Sequence, residues 1–208
     1  MRRNTRDVQE SRSPDVWHWP VPVVDGRRPV ISDGADSWRT AADGSRVPHG
    51  GVDIMFRRAS RDDFADEYPP GTPNGSRHYY VPDGVFALAA ARGAVWSAGW
   101  TPKGYAIVLD HGKPWATFYA HLSRVFVGET SRARSGQLVE AGQPLGVIGY
   151  SPLDGQRLMH LHFELWRGGP SARVDPAPHM RAWGLIAVDG AGRPSIAERP
   201  ASAPPRAA

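Results

Sequence analysis

From Tyr79 onward, apolar and polar residues alternate over short stretches rich in β-branched and aromatic types, the period-two pattern of strands. The clearest segments are Val85–Leu88, Gly93–Ser97, Tyr105–Leu109 and Trp115–His121. Asp110–Lys113 reads as a hairpin-type turn between the last two. Leu138-Val139, the turn Glu140–Gln143 and Pro144–Gly149 follow. The series closes on Met159–Trp166. Successive strand side chains point to opposite faces, so His160 and His162 project together while Leu161 and Phe163 project the other way. Many short strands with regular turns predict an all-β fold, mainly an antiparallel β-sandwich or barrel-like sheet, with few short helices. One helical stretch is expected near His179 to Leu185.

The remaining organisation follows from composition. Residues 1–15 are polar and are expected to be a flexible N-terminal segment. Residues 16–187 form the expected domain, entered through Trp17-His18-Trp19-Pro20, where Pro limits the chain to an edge or extended segment. Within it, 57–78 is charged and rich in Pro and Gly and reads as a long inserted loop, the kind that borders functional sites. Residues 188–208 are a Pro/Ala-rich tail expected to be disordered. With 23 Gly and 20 Pro in 208 residues, punctuation favours turns over long helices.

Charge and composition exclude several classes. No 18-residue apolar run exists, so no membrane span is expected. The charged N-terminus is not followed by the apolar stretch of a Sec signal. There are no cysteines, which removes disulfides, thiolate metal sites and thiol catalysis together. The net charge of +4 comes from scattered Arg, with no dense basic block carrying interleaved aromatics, so nucleic acid is not the expected partner. A mildly basic surface also suits an anionic polymer such as a cell wall.

The chemistry concentrates in histidines. In His49-Gly50-Gly51-Val52-Asp53, a His and an Asp four residues apart can converge on one ion, with the two glycines permitting the backbone path. His49, Asp53 and one His of the downstream pair supply three ligands, which with an open fourth position is the catalytic-zinc arrangement. Zinc lowers the pKa of water to about 7, and an unligated His nearby can take the proton. Strand geometry alone leaves His160 and His162 interchangeable as the third ligand. His121 is the remaining candidate for proton transfer.

These residues resemble the lysostaphin/LytM-type zinc metallopeptidases, endopeptidases of peptidoglycan. That family's pattern is His-x-Gly-x-Asp, then Tyr-Ala-His-Leu, then His-x-His. Here the matches are His49–Asp53, Tyr119-Ala120-His121-Leu122 and His160-Leu161-His162-Phe163-Glu164. Val139–Gly146 is similar to the family's Gly-Gln hairpin, and Val174-Asp175-Pro176 to its usual ending. The resemblance spans roughly Trp17 to Leu185. It implies a fold of duplicated hybrid motif type, one Zn2+ per chain held by His49, Asp53 and His162, and His121 and His160 as the two catalytic histidines. The implied reaction is hydrolysis of peptide bonds in the cross-linking peptides of bacterial cell wall.

The chain departs from the pattern in two places. The stretch between Asp53 and Tyr79 is longer and more charged than the family's short link, with Arg61, Asp62, Asp63, Asp66 and Glu67 forming either a groove wall or a solvated loop. The absent export signal leads to the expectation of delivery by a phage tail, a tail-like injection machine or lysis, with assembly proteins of such a machine as partners and the periplasm or cell wall as the place of action. Among other residues, Glu164 is a candidate partner of a histidine or a partly exposed structural Glu. Trp96, Trp100 and Trp115 either line a groove or pack. His18, His78, His111 and His179 match no ligand spacing and read as surface or turn residues. The competing class is a non-catalytic LytM-like module that binds wall or activates an amidase; such regulators usually lack ligands that this chain retains. A lipoyl-type carrier would need a Lys at the Val139–Gly149 hairpin tip, which is absent.

Overall fold

The structure, a computed structural model, describes residues 16–41, 43–58, 78–128, 136–152, 158–169 and 172–188. The expected terminal segments fall outside these residues except for Val188, and so do residues 59–77 of the expected inserted loop with its acidic cluster.

Strands come in chain order as β1 (Val23–Val24), β2 (Pro29–Asp33), β3 (Trp38–Thr40), β4 (Arg46–Pro48), β5 (Val52–Arg57), β6 (Tyr79–Tyr80), β7 (Phe86–Leu88) and β8 (Gly93–Thr101). They continue as β9 (Gly104–Asp110), β10 (Trp115–Val125), β11 (Leu138–Val139), β12 (Pro144–Ile148), β13 (Leu161–Arg167), β14 (Arg173–Val174) and β15 (Ala187–Val188), with one helix, α1 (Pro176–Met180), before the last. The main sheet runs β11-β8-β9-β10-β13-β5-β2, with antiparallel pairing throughout. Its ends, β11 and β2, do not pair, so among the described residues the sheet is open and not a closed barrel.

β10 organises the molecule. Its first half lies between β9 and β13, and its last residues pair with β12. Residues from distant parts of the sheet meet in one core, including Ile54 and Phe56 of β5, Ile107 of β9, Tyr119 of β10 and Leu161 and Phe163 of β13. A side chain such as Phe163, fully buried, contributes roughly 1.5–3 kcal/mol relative to exposure.

Three expectations are corrected. The expected hairpin from Val139 to Gly149 is a strand–turn–strand whose arms do not pair with each other: β11 pairs with β8, and β12 with β10 and β7. Val139 and Leu145 are both fully buried, and each arm finds its backbone partners in a different part of the sheet. The helix begins at Pro176, not near His179, because Asp175 accepts a hydrogen bond from the Ala177 N–H at 3.0 Å and Pro occupies the first turn. The chain then pairs β15 with β1 in parallel, through Ala187 and Val188.

The third concerns His111, expected in a surface turn. It is 4% exposed, sits edge-on against Trp17, and bonds the Arg92 carbonyl through Nδ1 at 2.9 Å and Thr117 Oγ1 through Nε2 at 2.7 Å. Thr117 Oγ1, which donates to the neutral ring, also lies 3.0 Å from the Tyr119 hydroxyl. Burial holds the His111 imidazole below its ordinary pKa. The folded protein therefore keeps this ring neutral at pH values where the unfolded chain takes up a proton. Its contribution to stability is present above about pH 6.5 and is lost as pH falls below it. His111→Gln should flatten the acid-side decline of the melting temperature between pH 7.5 and 5.5; a decline as steep as that of the wild type would contradict this account.

Candidate metal centre

Three features, one strand pairing and two glycines, bring His49, Asp53 and His162 together. His49 follows β4, Asp53 is the second residue of β5, and His162 is the second residue of β13. β5 and β13 run antiparallel with Asp53 directly opposite His162. Gly50 has φ of +74°, which turns the chain back so that His49 reaches the same point. Gly51 serves by its lack of a side chain: a Cβ there would sit 2.6 Å from the Phe163 carbonyl and 3.0 Å from the His162 ring.

The donor atoms are close. His49 Nε2 lies 2.8 Å from His162 Nδ1 and 2.9 Å from Asp53 Oδ1, and His162 Nδ1 lies 3.2 Å from Asp53 Oδ1. The far nitrogens decide what these contacts are. His49 Nδ1 faces the Gly34 carbonyl at 2.9 Å, an acceptor only, so it carries the ring's proton. His162 Nε2 donates to Glu164 Oε1 at 3.0 Å. With one proton per ring, two imidazole lone pairs and a carboxylate oxygen point at one another. Such a set is unfavourable unless positive charge lies between them, either a cation or a second proton on His162, whose pKa is raised against the cost of burial by its bonds to Asp53 and Glu164. Tetrahedral zinc with bonds of about 2.0–2.1 Å separates its ligands by roughly 3.3 Å, close to the spacing here. The three residues are a group able to hold a metal ion.

Glu164 belongs to this arrangement. Fully buried, it accepts hydrogen bonds from His162, from Trp166 Nε1 at 2.6 Å and from Arg173 Nε at 2.7 Å. Burial alone would raise its carboxyl, but His162 and these donors outweigh that and hold it below the usual range. Asp53 behaves likewise: burial opposes its charge, yet the contacts with His162 and His49 hold it well below the usual carboxylate range. Glu164 is thus the oriented partner of His162 and not a partly exposed residue.

His160 and His121 stand beside the cluster. His160 precedes β13 instead of lying in it, but its ring still faces the same side as that of His162; Nδ1 donates to the Leu158 carbonyl at 2.8 Å and Nε2 lies 3.7 Å from Asp53 Oδ1. His121 sits at an irregularity in β10 with φ of +65°, a conformation rare for a residue with a side chain. The irregularity turns its ring inward, 4.6 Å from His160 and 5.6 Å from His162 between centroids. Its Nδ1 donates to the Lys103 carbonyl at 2.8 Å, leaving Nε2 for the cleft. Burial, with His160 beside it, holds the His121 imidazole down at about 3.

All five residues line an open cleft of about 890 Å³, whose walls include Arg39, Tyr79, Lys103 and Ser151. His18, His78 and His179 lie outside it, and so do Trp96, Trp100 and Trp115. Trp115 packs against Trp17 and His179, while Trp100 is exposed. Two cleft residues escaped sequence reasoning. Lys103 orients His121 through its backbone carbonyl. Arg39 reaches Asp53 from β3. The signal for Arg39 was the Asp43-Gly44 turn, which marks a hairpin just ahead of His49.

Residues 75–176 match the peptidase family described as Peptidase family M23. The chain is similar to an L-Ala--D-Glu endopeptidase of Bacillus subtilis, 31% identical over 114 residues, covering 51% of this chain and 32% of that protein. It thus spans about a third of the length of that curated relative. A zinc-containing peptidase from Vibrio cholerae aligns over 82% of this chain and 41% of its own, with TM-score 0.53 and 25% identity. The catalytic domain of the antimicrobial peptidase lysostaphin from Staphylococcus simulans aligns over 76% of this chain and 95% of its own, with TM-score 0.50 and 22% identity, a likeness of fold.

Proposed function

We propose, from the premise that this chain carries a peptidase family M23 domain, that it is a zinc-dependent endopeptidase hydrolysing peptide bonds in bacterial peptidoglycan. The observation that carries this reading is the convergence of His49 Nε2, Asp53 Oδ1 and His162 Nδ1 at 2.8–3.2 Å, with two further imidazoles beside them in an open cleft. Zinc, when held by those three atoms, supplies a Lewis acid and makes a hydroxide nucleophile available near neutral pH.

The chain's own residues supply the rest. His160 and His121 each donate Nδ1–H to a backbone carbonyl, so in the resting state each presents Nε2 as an acceptor. At Nε2 each is placed to take the proton of an attacking water, with burial making the His121 ring a weak base for that step. The protonated ring then becomes a donor, able to bond the oxyanion of the tetrahedral intermediate or pass the proton to the leaving amine. Glu164 holds His162 in the tautomer that turns Nδ1 toward the cluster. The wall peptides that fit this reading lie where the substrate is, in the periplasm or cell wall.

The test is mass spectrometry of muropeptides released from purified sacculi, with and without phenanthroline. New peptide termini are expected only without chelator, and added zinc should restore them. The masses also distinguish a cut at the L-Ala–D-Glu bond, the bond in the relative's name, from a cut in a cross-link. Release indifferent to chelation would remove the metal mechanism. A protein that retains stoichiometric zinc yet releases nothing from any sacculus type would be a binding module.

A further inference from the structure

Asp53 has two carboxylate oxygens, and only Oδ1 faces the histidines. Oδ2 is taken by Arg39, whose Nη2 lies 2.7 Å from it. The same Nη2 lies 2.7 Å from Asp33 Oδ2, and Nη1 bonds Ser37 Oγ at 3.0 Å. Resting on the zinc-site reading above, we propose that Arg39 is a positioning residue for the metal ligands, fixing Asp53 as a one-oxygen ligand by occupying its second oxygen.

The sheet creates the need for it. A register shift in β2 sets Asp33 opposite Asp53 of β5. Like charges directly opposite on paired strands repel. A cation between them offsets that repulsion, and its geometry then decides how both carboxylates turn. The terminal torsion of Asp is broad and roughly two-fold, so an untethered Asp53 would swing between one-oxygen and two-oxygen presentation. A planar guanidinium, always charged, can bond two carboxylates and a hydroxyl from one fixed plane; a lysine ammonium is a point charge that cannot hold that plane.

The position of Arg39 in the chain adds to the argument. It lies on β3, which pairs with β4, and β4 leads directly into His49. One short hairpin therefore delivers both a ligand and the residue that orients a second ligand. That hairpin is anchored to the ligand segment by the His49 N–H donating to the Ser37 carbonyl at 2.9 Å.

The test is zinc affinity, measured by competition with a chromophoric chelator at fixed pH, for the wild type, Arg39→Gln and Arg39→Lys. Loss of a residue that orients a ligand typically weakens metal binding about 10- to 100-fold, which is expected for Arg39→Gln. Arg39→Lys should recover part of that loss, because it restores charge but not the plane. Cobalt-substituted Arg39→Gln should also show an altered visible spectrum, reporting changed coordination that a merely structural role would not produce. If Arg39→Gln does not fold, Arg39→Lys decides alone, with affinity several-fold below wild type expected. Affinities within twofold of wild type in every folded variant overturn the inference. A wild-type protein that retains no zinc overturns the metal-site reading itself, and the inference with it.

Discussion

His162→Ala is expected to lose zinc and, with it, all hydrolysis of peptidoglycan. Three residues there are able to hold a metal ion, His49, Asp53 and His162. Structural zinc sites, usually with four ligands, bind with an apparent 10–16 kcal/mol, so one ligand accounts for roughly 3 kcal/mol and its loss for about two orders of magnitude in affinity. The substitution should also lower stability. Without the His162 ring, the Glu164 carboxylate has one donor fewer and, among the described residues, keeps Trp166, Arg173 and a distant Lys103. His49→Ala and Asp53→Ala should behave alike in zinc retention. Elemental analysis after dialysis reads the outcome, and one zinc per chain in His162→Ala would overturn the ligand assignment.

His160→Ala should give the opposite division: zinc retained, turnover lost. Its Nε2 lies 3.7 Å from Asp53 Oδ1, outside the tight set but near enough to serve a water held there. Removing a general acid or base costs typically 10²–10⁴-fold in rate, and that range is expected for His160→Ala and for His121→Ala. The two differ in their structural cost. His121 occupies an unfavourable backbone conformation at φ of +65°, so its replacement should also shift stability, whereas His160 lies in an ordinary segment before β13. Rates on purified sacculi, measured on proteins matched for zinc content, separate the two. Hydrolysis at the wild-type rate by zinc-loaded His160→Ala would refute its catalytic role.

The strands were legible because their signal is local. Alternation marks Tyr105–Leu109 and Trp115–His121 whatever they pair with, although the observed strands, Gly104–Asp110 and Trp115–Val125, run longer, since pairing continues wherever a neighbour remains. The arms around Gly142 were misread because pairing is not local: a turn with two apolar arms reads as a hairpin until other strands compete for both arms. His111 was misread for the same reason. A histidine beside Gly112 has the sequence of a turn, and only the approach of Trp17 and Thr117 buries it.

For the site, local spacing marked two clusters of candidates, and the register of β5 against β13, which sets Asp53 opposite His162, brought the clusters together. A two-residue spacing sends His160 and His162 to one side, and two glycines let His49 and Asp53 converge, both consequences of backbone geometry within a few residues. Which atoms face the centre follows from the hydrogen bonds each side chain makes, some local and some from distant segments. The open nitrogen of an imidazole is set by what the other nitrogen bonds: for His162 and His160 that partner is two residues away, Glu164 and the Leu158 carbonyl, while for His49 and His121 it comes from other segments, the Gly34 and Lys103 carbonyls. Likewise Asp53 faces the histidines with one oxygen because Arg39, on a separate hairpin, holds the other. Spacing along the chain marks the candidate residues, and strand pairing with hydrogen bonds from other segments decides how they meet.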